Sequence, residues 1–127
     1  METGELVTCT YKTGRYIGRL VDPTPAKTTS VVQILAVLRH PVQGDLHQPG
    51  KTEVALFQER KALAFNEKAN IPDTHLKPYS GDLPNYNESL IHAVHLFEES
   101  LVNENSPFAD ASLETLRSLK QDYRLKP

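Results

Sequence analysis

Five histidines are the residues of this sequence best suited to hold a metal ion. His92 and His95 lie three positions apart in a helix-like stretch, a spacing that presents two imidazoles on one helix face. A zinc site needs a third protein ligand and a supporting second shell, and no HExxH, CxxC or paired-carboxylate motif supplies them. We therefore predict no metal and no cofactor. We expect His92 and His95 to be partly exposed, and His40 to be a strand-end residue bonded to the backbone.

The other reactive residue types lack the neighbours that catalysis requires. Cys9 lies within an alternating apolar pattern, which favours a small buried side chain over a nucleophile. Gly14 and Gly18 form a GxxxG spacing that is typical of a turn and a bulge, and the sequence has no phosphate-binding GxGxxG or GxxxxGK[ST] motif. No GxSxG accompanies any serine. The sequence predicts a protein that is not an enzyme.

The most unusual stretch is the HPVQGDLHQPG segment of residues 40–50. It is longer than a hairpin needs, two prolines stiffen it, and its polar and histidine side chains suit a recognition loop. The alternative is a connection that crosses the end of the sheet and packs Leu46 beneath it. Both interpretations stay open. On the first, the candidate partner-binding residues are His40, Gln43, Gly44, Asp45, His47 and Arg60.

The charge distribution gives little support to nucleic-acid binding. Residues 1–79 contain 10 Lys/Arg and 8 Asp/Glu, a net charge of +2, and residues 80–127 contain 4 and 8, a net charge of −4. Duplex-binding domains present a basic face, because their affinity comes largely from neutralising phosphates. The basic and aromatic residues that such a small barrel could use are Lys12, Arg15, Arg19, Tyr11 and Tyr16. A solvated strand face is the preferred interpretation, and nucleic-acid binding is kept as the alternative function.

The first 79 residues have the pattern of short strands joined by turns. Alternation over 6–11 predicts a half-buried strand, residues 12–15 a turn with Gly14 at positive φ, and residues 16–21 the returning strand. Short strands are also predicted at 53–57 and 62–65. Five short strands in about 75 residues indicate a small closed barrel, since closure removes exposed edges.

The apolar run at 31–38 fits two kinds of element. Val31, Ile34, Leu35 and Leu38 fit one helix face, and Ser30 could cap it. Four of the eight residues are β-branched, however, and the run stops at a His-Pro pair. We therefore predict a central strand buried on both faces.

The last 48 residues have helical periodicity. Residues 80–84 form a linker, Asn87 is the predicted N-cap, and an apolar stripe follows that ends at 103–105. Ser106 and Pro107 start a second helix with a capping hydroxyl and a proline at the first helical position. The stripe of the first helix is Leu90, Ile91, Val94, Phe97 and Leu101, and that of the second is Ala109, Leu113, Leu116 and Tyr123. A tight connection makes them an antiparallel pair.

Length and composition set the outer limits of these predictions. The chain of 127 residues is enough for one compact unit, with a barrel at 1–79 and a helical hairpin packed on it at 80–127. No apolar run approaches the roughly 18 residues of a membrane span, and we expect no signal peptide. The single cysteine excludes an internal disulfide, which fits a cytoplasmic protein.

Six segments of the sequence match a known family. The most specific is LAVLRHPVQGDLH at 35–47. The others are YKTGRYIG at 11–18, ERKALAF at 59–65, NIP at 70–72, KPY at 77–79 and PNYNESL at 84–90. With these segments the chain resembles the kinase-associated protein B family of spore-forming bacilli, and the resemblance covers nearly the whole chain, from about residue 5 to residue 123.

The resemblance implies an SH3-like barrel followed by helices. It also implies a small protein that supports a membrane sensor histidine kinase feeding the sporulation phosphorelay. The family is sometimes labelled a lipoprotein, but Cys9 follows GELVT with no apolar export segment, so lipidation is not expected here.

The sequence therefore predicts an accessory or adaptor protein without catalytic activity that acts by binding a protein. We expect a cytoplasmic location, with recruitment to the inner face of the membrane through the partner and no direct insertion. The apolar helix stripes leave room for a homodimer.

Overall fold

The computed structural model describes residues 2–23, 28–44 and 59–123. Five antiparallel strands form one sheet in the order β4-β3-β2-β1-β5, and two helices follow it. The elements are β1 Leu6–Tyr11, β2 Gly14–Pro23, β3 Thr29–Arg39, β4 Lys68–Pro72, a 3-10 helix Asp73–His75, β5 Leu76–Pro78, α1 Tyr86–Glu104 and α2 Pro107–Asp122. The predicted class, mainly β with C-terminal helices, is confirmed.

The predicted hairpin of β1 and β2 is present, with a different residue at its turn. Tyr11 pairs with Gly14, and Lys12 has the positive φ, 54°, that the sequence analysis assigned to Gly14. The predicted bulge lies in β2, where the register with β3 shifts between Ile17 and Gly18. Gly18 is required there because an added Cβ would overlap Val32 and stand 2.7 Å from the carbonyl oxygen of Gln33.

The predicted closed barrel is wrong, although the sheet is strongly curled. β4 and β5 are the two edges, yet only the 3-10 helix separates them along the chain. Three residues of 3-10 helix advance about 6 Å, so the sheet must bend until its edges lie near each other. Within the described residues, no ladder joins β4 to β5. The chain reverses through a helical turn at that point, and closure through hydrogen bonds does not occur.

Two strand predictions have different outcomes. The strand predicted at 31–38 is confirmed as β3, although Leu38 and Arg39 at its end are exposed. The strand predicted at 62–65 is wrong, since these residues are irregular and turn before β4 begins. The strand predicted at 53–57 lies outside the described residues.

Both helices begin at side-chain caps. Asn85, and not the predicted Asn87, caps α1 by accepting a hydrogen bond from the N–H of Glu88 at 3.2 Å. Asn105 ends α1 in the left-handed region, as its type allows. The predicted start of α2 is confirmed, because Ser106 Oγ accepts from Ala109 N at 3.0 Å and Pro107 follows it.

A single apolar core joins the sheet to the helices. Leu90, Val94 and Leu101 of α1 and Ala109 and Leu116 of α2 pack in the same cluster as the inner side chains of the strands. A buried hydrogen bond fixes α1 on β3, where Ser89 Oγ accepts from Val37 N at 2.9 Å. The end of β3 and the first half of α1 are therefore held side by side.

Candidate functional site

The irregular residues 60–64, named here the 60–64 segment, are held by side chains, and no ladder joins them to another strand among the described residues. Gln43 is only 2% exposed, and its side-chain amide forms hydrogen bonds with the backbone N–H and C=O of Arg60, as the backbone of a neighbouring strand would. Its Oε1 accepts from Arg60 N at 2.8 Å, and its Nε2 donates to Arg60 O at 2.9 Å and to Pro41 O at 3.0 Å. Arg60 Nε in turn donates to Gly44 O at 3.0 Å. These bonds fix the start of the predicted loop to the 60–64 segment.

Three tyrosine hydroxyls satisfy the next backbone groups of the 60–64 segment. Tyr123 accepts from Ala62 N at 2.8 Å, and Tyr16 accepts from Leu63 N at 3.2 Å. Tyr86 donates to the carbonyl oxygen of Leu63 at 2.5 Å. Burial raises the pKa of Tyr16 and of Tyr86 to about 12, so both hydroxyls keep their protons at neutral pH. Side chains from β2, α1 and the end of α2 therefore meet on one short stretch of backbone.

His40 connects this network to a surface groove. Its Nδ1 lies 2.9 Å from Pro41 O, which can only accept, so Nδ1 bears the proton. Its Nε2 lies 2.9 Å from the hydroxyl of Tyr123 and accepts from it when the ring is neutral. Burial lowers the pKa of His40 below its ordinary value, against the weaker raising effect of the Pro41 hydrogen bond. A neutral imidazole with this tautomer donates to Pro41 and accepts from Tyr123, so both ring nitrogens have partners.

An apolar groove of about 520 Å³ lies over His40, between the end of β3 and the outer side of α1. His40 stacks on Phe97 with ring centroids 5.5 Å apart, and the two rings form its floor. Two leucines on its sides are exposed, Leu38 by 37% and Leu96 by 50%. We call this depression the apolar groove. It is lined by Arg15, Leu38, Arg39, His40, Val42, Ala93, Leu96, Phe97 and Ser100. Exposed leucines on a groove rim are typical of a protein-binding surface.

The structure brings four of the six predicted binding residues together. His40, Gln43, Gly44 and Arg60 form one bonded cluster beside the apolar groove. His40 and Gln43 are buried, and their polar atoms are bonded within the protein, where they hold the backbone of Pro41 and Arg60. Asp45 and His47 lie outside the described residues.

The described histidines and the cysteine are not grouped as a metal site. His92 and His95 are exposed on α1, and among residues 2–23, 28–44 and 59–123 no three His, Cys, Asp or Glu side chains are grouped as a metal site. Cys9 is buried as predicted, and burial raises its pKa to about 11, which disfavours the reactive thiolate.

The residue set for the alternative nucleic-acid function is divided by the fold. Lys12, Arg15 and Arg19 are exposed and Tyr11 is half-buried. Tyr16, however, is only 1% exposed and its ring belongs to the core. Base stacking needs accessible aromatic faces, so the set loses one of its two rings.

Comparison with known proteins gives three agreeing matches. The family model described as Kinase associated protein B matches residues 11–124. The chain belongs to the kinase-associated protein B family. It is 44% identical over 126 residues to Kinase-associated lipoprotein B of Bacillus subtilis (strain 168), and the alignment covers 99% of this chain and 97% of that protein. The crystal structure of kinase-associated protein B from Bacillus cereus matches with a TM-score of 0.82 and 46% identity, covering 98% of this chain and 99% of that one.

In this member of the kinase-associated protein B family, sequence reasoning missed the exposed rim of the apolar groove. Leu96 lies off the buried stripe of α1, and an apolar residue outside such a stripe is the signal that could have identified it. Leu38 was included in a strand buried on both faces. No helix within the described ranges is both long and apolar enough to cross a bilayer.

The buried His40 predicts a pH dependence of stability for this family member. Its folded pKa lies below the ordinary 6.5, so as the pH falls the unfolded chain takes up a proton that the folded chain refuses. We expect the melting temperature, measured by circular dichroism, to decrease as the pH is lowered from 7.5 to 5.5.

Two histidine variants isolate the contribution of His40. His40→Gln should reduce the change in melting temperature over this pH range, because glutamine does not titrate. His92→Gln removes an exposed histidine and should leave the change as in the wild type. An equal pH dependence in His40→Gln and the wild type would contradict the assignment.

Proposed function

We propose that the protein is a non-enzymatic accessory protein that binds a sensor histidine kinase of the sporulation phosphorelay through the apolar groove. The observation that supports this most is the groove itself, with two exposed leucines beside a floor formed by the buried His40 and the half-buried Phe97. Its relatives are named for association with a kinase and not for kinase activity. The protein works in the cytoplasm in this proposal, at the membrane only through its partner.

Burial of the groove leucines would supply the binding free energy. Leu38 and Leu96 expose apolar surface that a partner would remove from water, at about 25 cal/mol per Å². The floor beneath them is fixed by the His40 and Gln43 bonds, so little order has to be created on binding. Binding hot spots cluster in well-packed pockets that lose their water when the partner binds.

Such a protein acts by changing the equilibrium between states of its partner. A kinase that exists in two conformations shifts toward the one that the groove binds more tightly, and no chemical step on the accessory protein is needed. The loop that begins at His40 and contains Asp45 and His47 stays part of the proposed surface. Gln43, Gly44 and Arg60 hold the start of that loop in this proposal.

The test is a titration of the full chain with the purified cytoplasmic portion of a sporulation sensor kinase, followed by calorimetry. Leu96→Gln removes the apolar rim without adding charge and should weaken binding about tenfold, near 1.4 kcal/mol. Leu83→Gln is the matched control, since Leu83 is 42% exposed and lies outside the apolar groove.

Two results would count against the proposal. One is the absence of wild-type binding at tens of micromolar to any of the sporulation sensor kinases tested. The other is an equal loss of affinity in the Leu96 and Leu83 variants, which would mean that the groove is not the contact surface.

A further inference from the structure

Two arginines face each other across adjacent strands at one end of the apolar groove. Arg15 of β2 pairs in register with Arg39 of β3, and both side chains are exposed. Arg39 donates one hydrogen bond, to Thr13 O at 3.3 Å, and neither arginine forms an ion pair with a described residue. Like charges directly opposite each other destabilise a sheet. An anion bound between the arginines would remove this repulsion.

The same two arginines also border a second, polar depression of about 410 Å³. It crosses the sheet toward β5, where Lys77 and His75 lie at its other side, and no carboxylate lines it among the described residues. Thr8 stands between, paired in register with Lys77. We name this depression, from Arg39 to Lys77, the cationic cleft.

The charges of the cationic cleft are spread along a row and do not converge on one point. Lys77 and Arg39 lie on strands separated by three strand spacings, which is about 14 Å in a flat sheet and less in a curled one. A single phosphoryl group is too compact to bridge such a row. Several carboxylates carried by one extended or helical segment match it, since each arginine can bond a carboxylate in a bidentate manner and the lysine can pair with another.

We infer that the apolar groove and the cationic cleft together bind an acidic, amphipathic segment of a partner protein. Its apolar side chains pack between Leu38 and Leu96, and its carboxylates pair with Arg15, Arg39 and Lys77. The two depressions share Arg15 and Arg39, so one continuous ligand reaches both. This inference rests on the proposed function only in taking a protein as the occupant.

A second copy of this chain is the less favoured occupant. Its acidic part is the helical half, at net −4, and that half would have to dock on the strand-rich half of its neighbour. Such a head-to-tail contact uses two different surfaces and extends into open assemblies unless a ring closes. A separate acidic partner meets the charge pattern without this consequence.

The experiment uses peptide selection, so it does not depend on the identity of the kinase. The full chain is immobilised, a random peptide display library is selected against it, and enriched peptides are measured by fluorescence polarisation. We expect peptides with two or more carboxylates next to apolar residues. Their affinity should fall at least tenfold for Arg15→Glu/Arg39→Glu and should weaken from 50 to 300 mM NaCl as exposed ion pairs are screened.

Matched variants separate the site from net charge and from folding. Lys68→Glu/Arg117→Glu changes the net charge equally at exposed positions away from both depressions and should bind as the wild type does. Arg15→Gln/Arg39→Gln removes the charges without adding new ones. It replaces the glutamate variant in the binding assay if that variant has a lowered melting temperature. Its binding should also fall.

Each outcome supports or overturns the inference. Failure to enrich peptides, enrichment of peptides without carboxylates, or affinity unchanged in both arginine variants would overturn it. So would a wild-type dimer in light scattering that becomes monomeric in the arginine variants, since the occupant would then be a second copy. Kinase binding lost in Leu96→Gln but kept in the arginine variants overturns the inference alone. Peptide binding without kinase binding overturns the proposed function alone.

Discussion

Replacement of Gln43 by methionine is expected to destabilise the fold by about 3 kcal/mol, a decrease in melting temperature on the order of 10 °C. Methionine has nearly the same length and fills the same space, so the effect isolates the amide. The side chain is buried and makes three hydrogen bonds, two of them to the backbone of Arg60. Without the amide, these backbone groups lose their partners in a site with little access to water.

The matched control for this substitution is Gln33→Met. Gln33 makes one exposed hydrogen bond to Asn66 Oδ1, at 3.1 Å, and its loss should cost about 0.5 kcal/mol or less. Urea denaturation of both variants measures the difference. Equal destabilisation in the two would show that water replaces the Gln43 bonds, and Gln43 would then not be what holds the 60–64 segment.

The elements with a strong period could be predicted from the sequence. β1, β2 and β3 have alternating or continuous apolar patterns, and α2 has a capping serine followed by proline. These signals are local, because each strand or helix buries its own apolar side chains in the core. β4 and β5 were missed, since Lys68–Pro72 and Leu76–Pro78 are short edge strands with few apolar residues.

The 60–64 segment shows why the remaining elements could not be predicted. Ala62 and Leu63 alternate as strand residues do, yet their backbone bonds are made by tyrosine hydroxyls from distant positions. The separations reach 61 residues, between Ala62 and Tyr123. No local sequence pattern records such contacts. The sequence could therefore indicate that these residues are buried, but not that side chains in place of a neighbouring strand bond their backbone.

The candidate site was predicted in part for the same reason. The HPVQGDLH run marked His40 and Gln43 as unusual, and both lie at the centre of the bonded cluster. Their burial was not predicted, because a polar loop residue and a polar core residue have the same appearance in a single sequence. The groove above them depends on α1 packing beside β3, which only the folded chain defines.

Replacement of Tyr123 by phenylalanine is expected to cost about 2 kcal/mol, because one hydroxyl serves two partners. It accepts from Ala62 N and donates to the ring nitrogen of His40, so its removal leaves a backbone N–H and an imidazole nitrogen without partners. Tyr79→Phe is the control, since the Tyr79 hydroxyl makes an exposed bond to Asp82 O. It should lose about 0.5 kcal/mol or less.

A double-mutant cycle between Tyr123→Phe and His40→Phe tests whether the two side chains act as one unit. They touch through the hydrogen bond and an edge-on ring contact at 5.8 Å, so a coupling free energy of about 1 kcal/mol is expected. Additive losses would contradict this coupling. A measured coupling ties the last turn of α2 to the floor of the apolar groove, so that docking of the C-terminal helix and the shape of the binding surface depend on the same hydrogen bond.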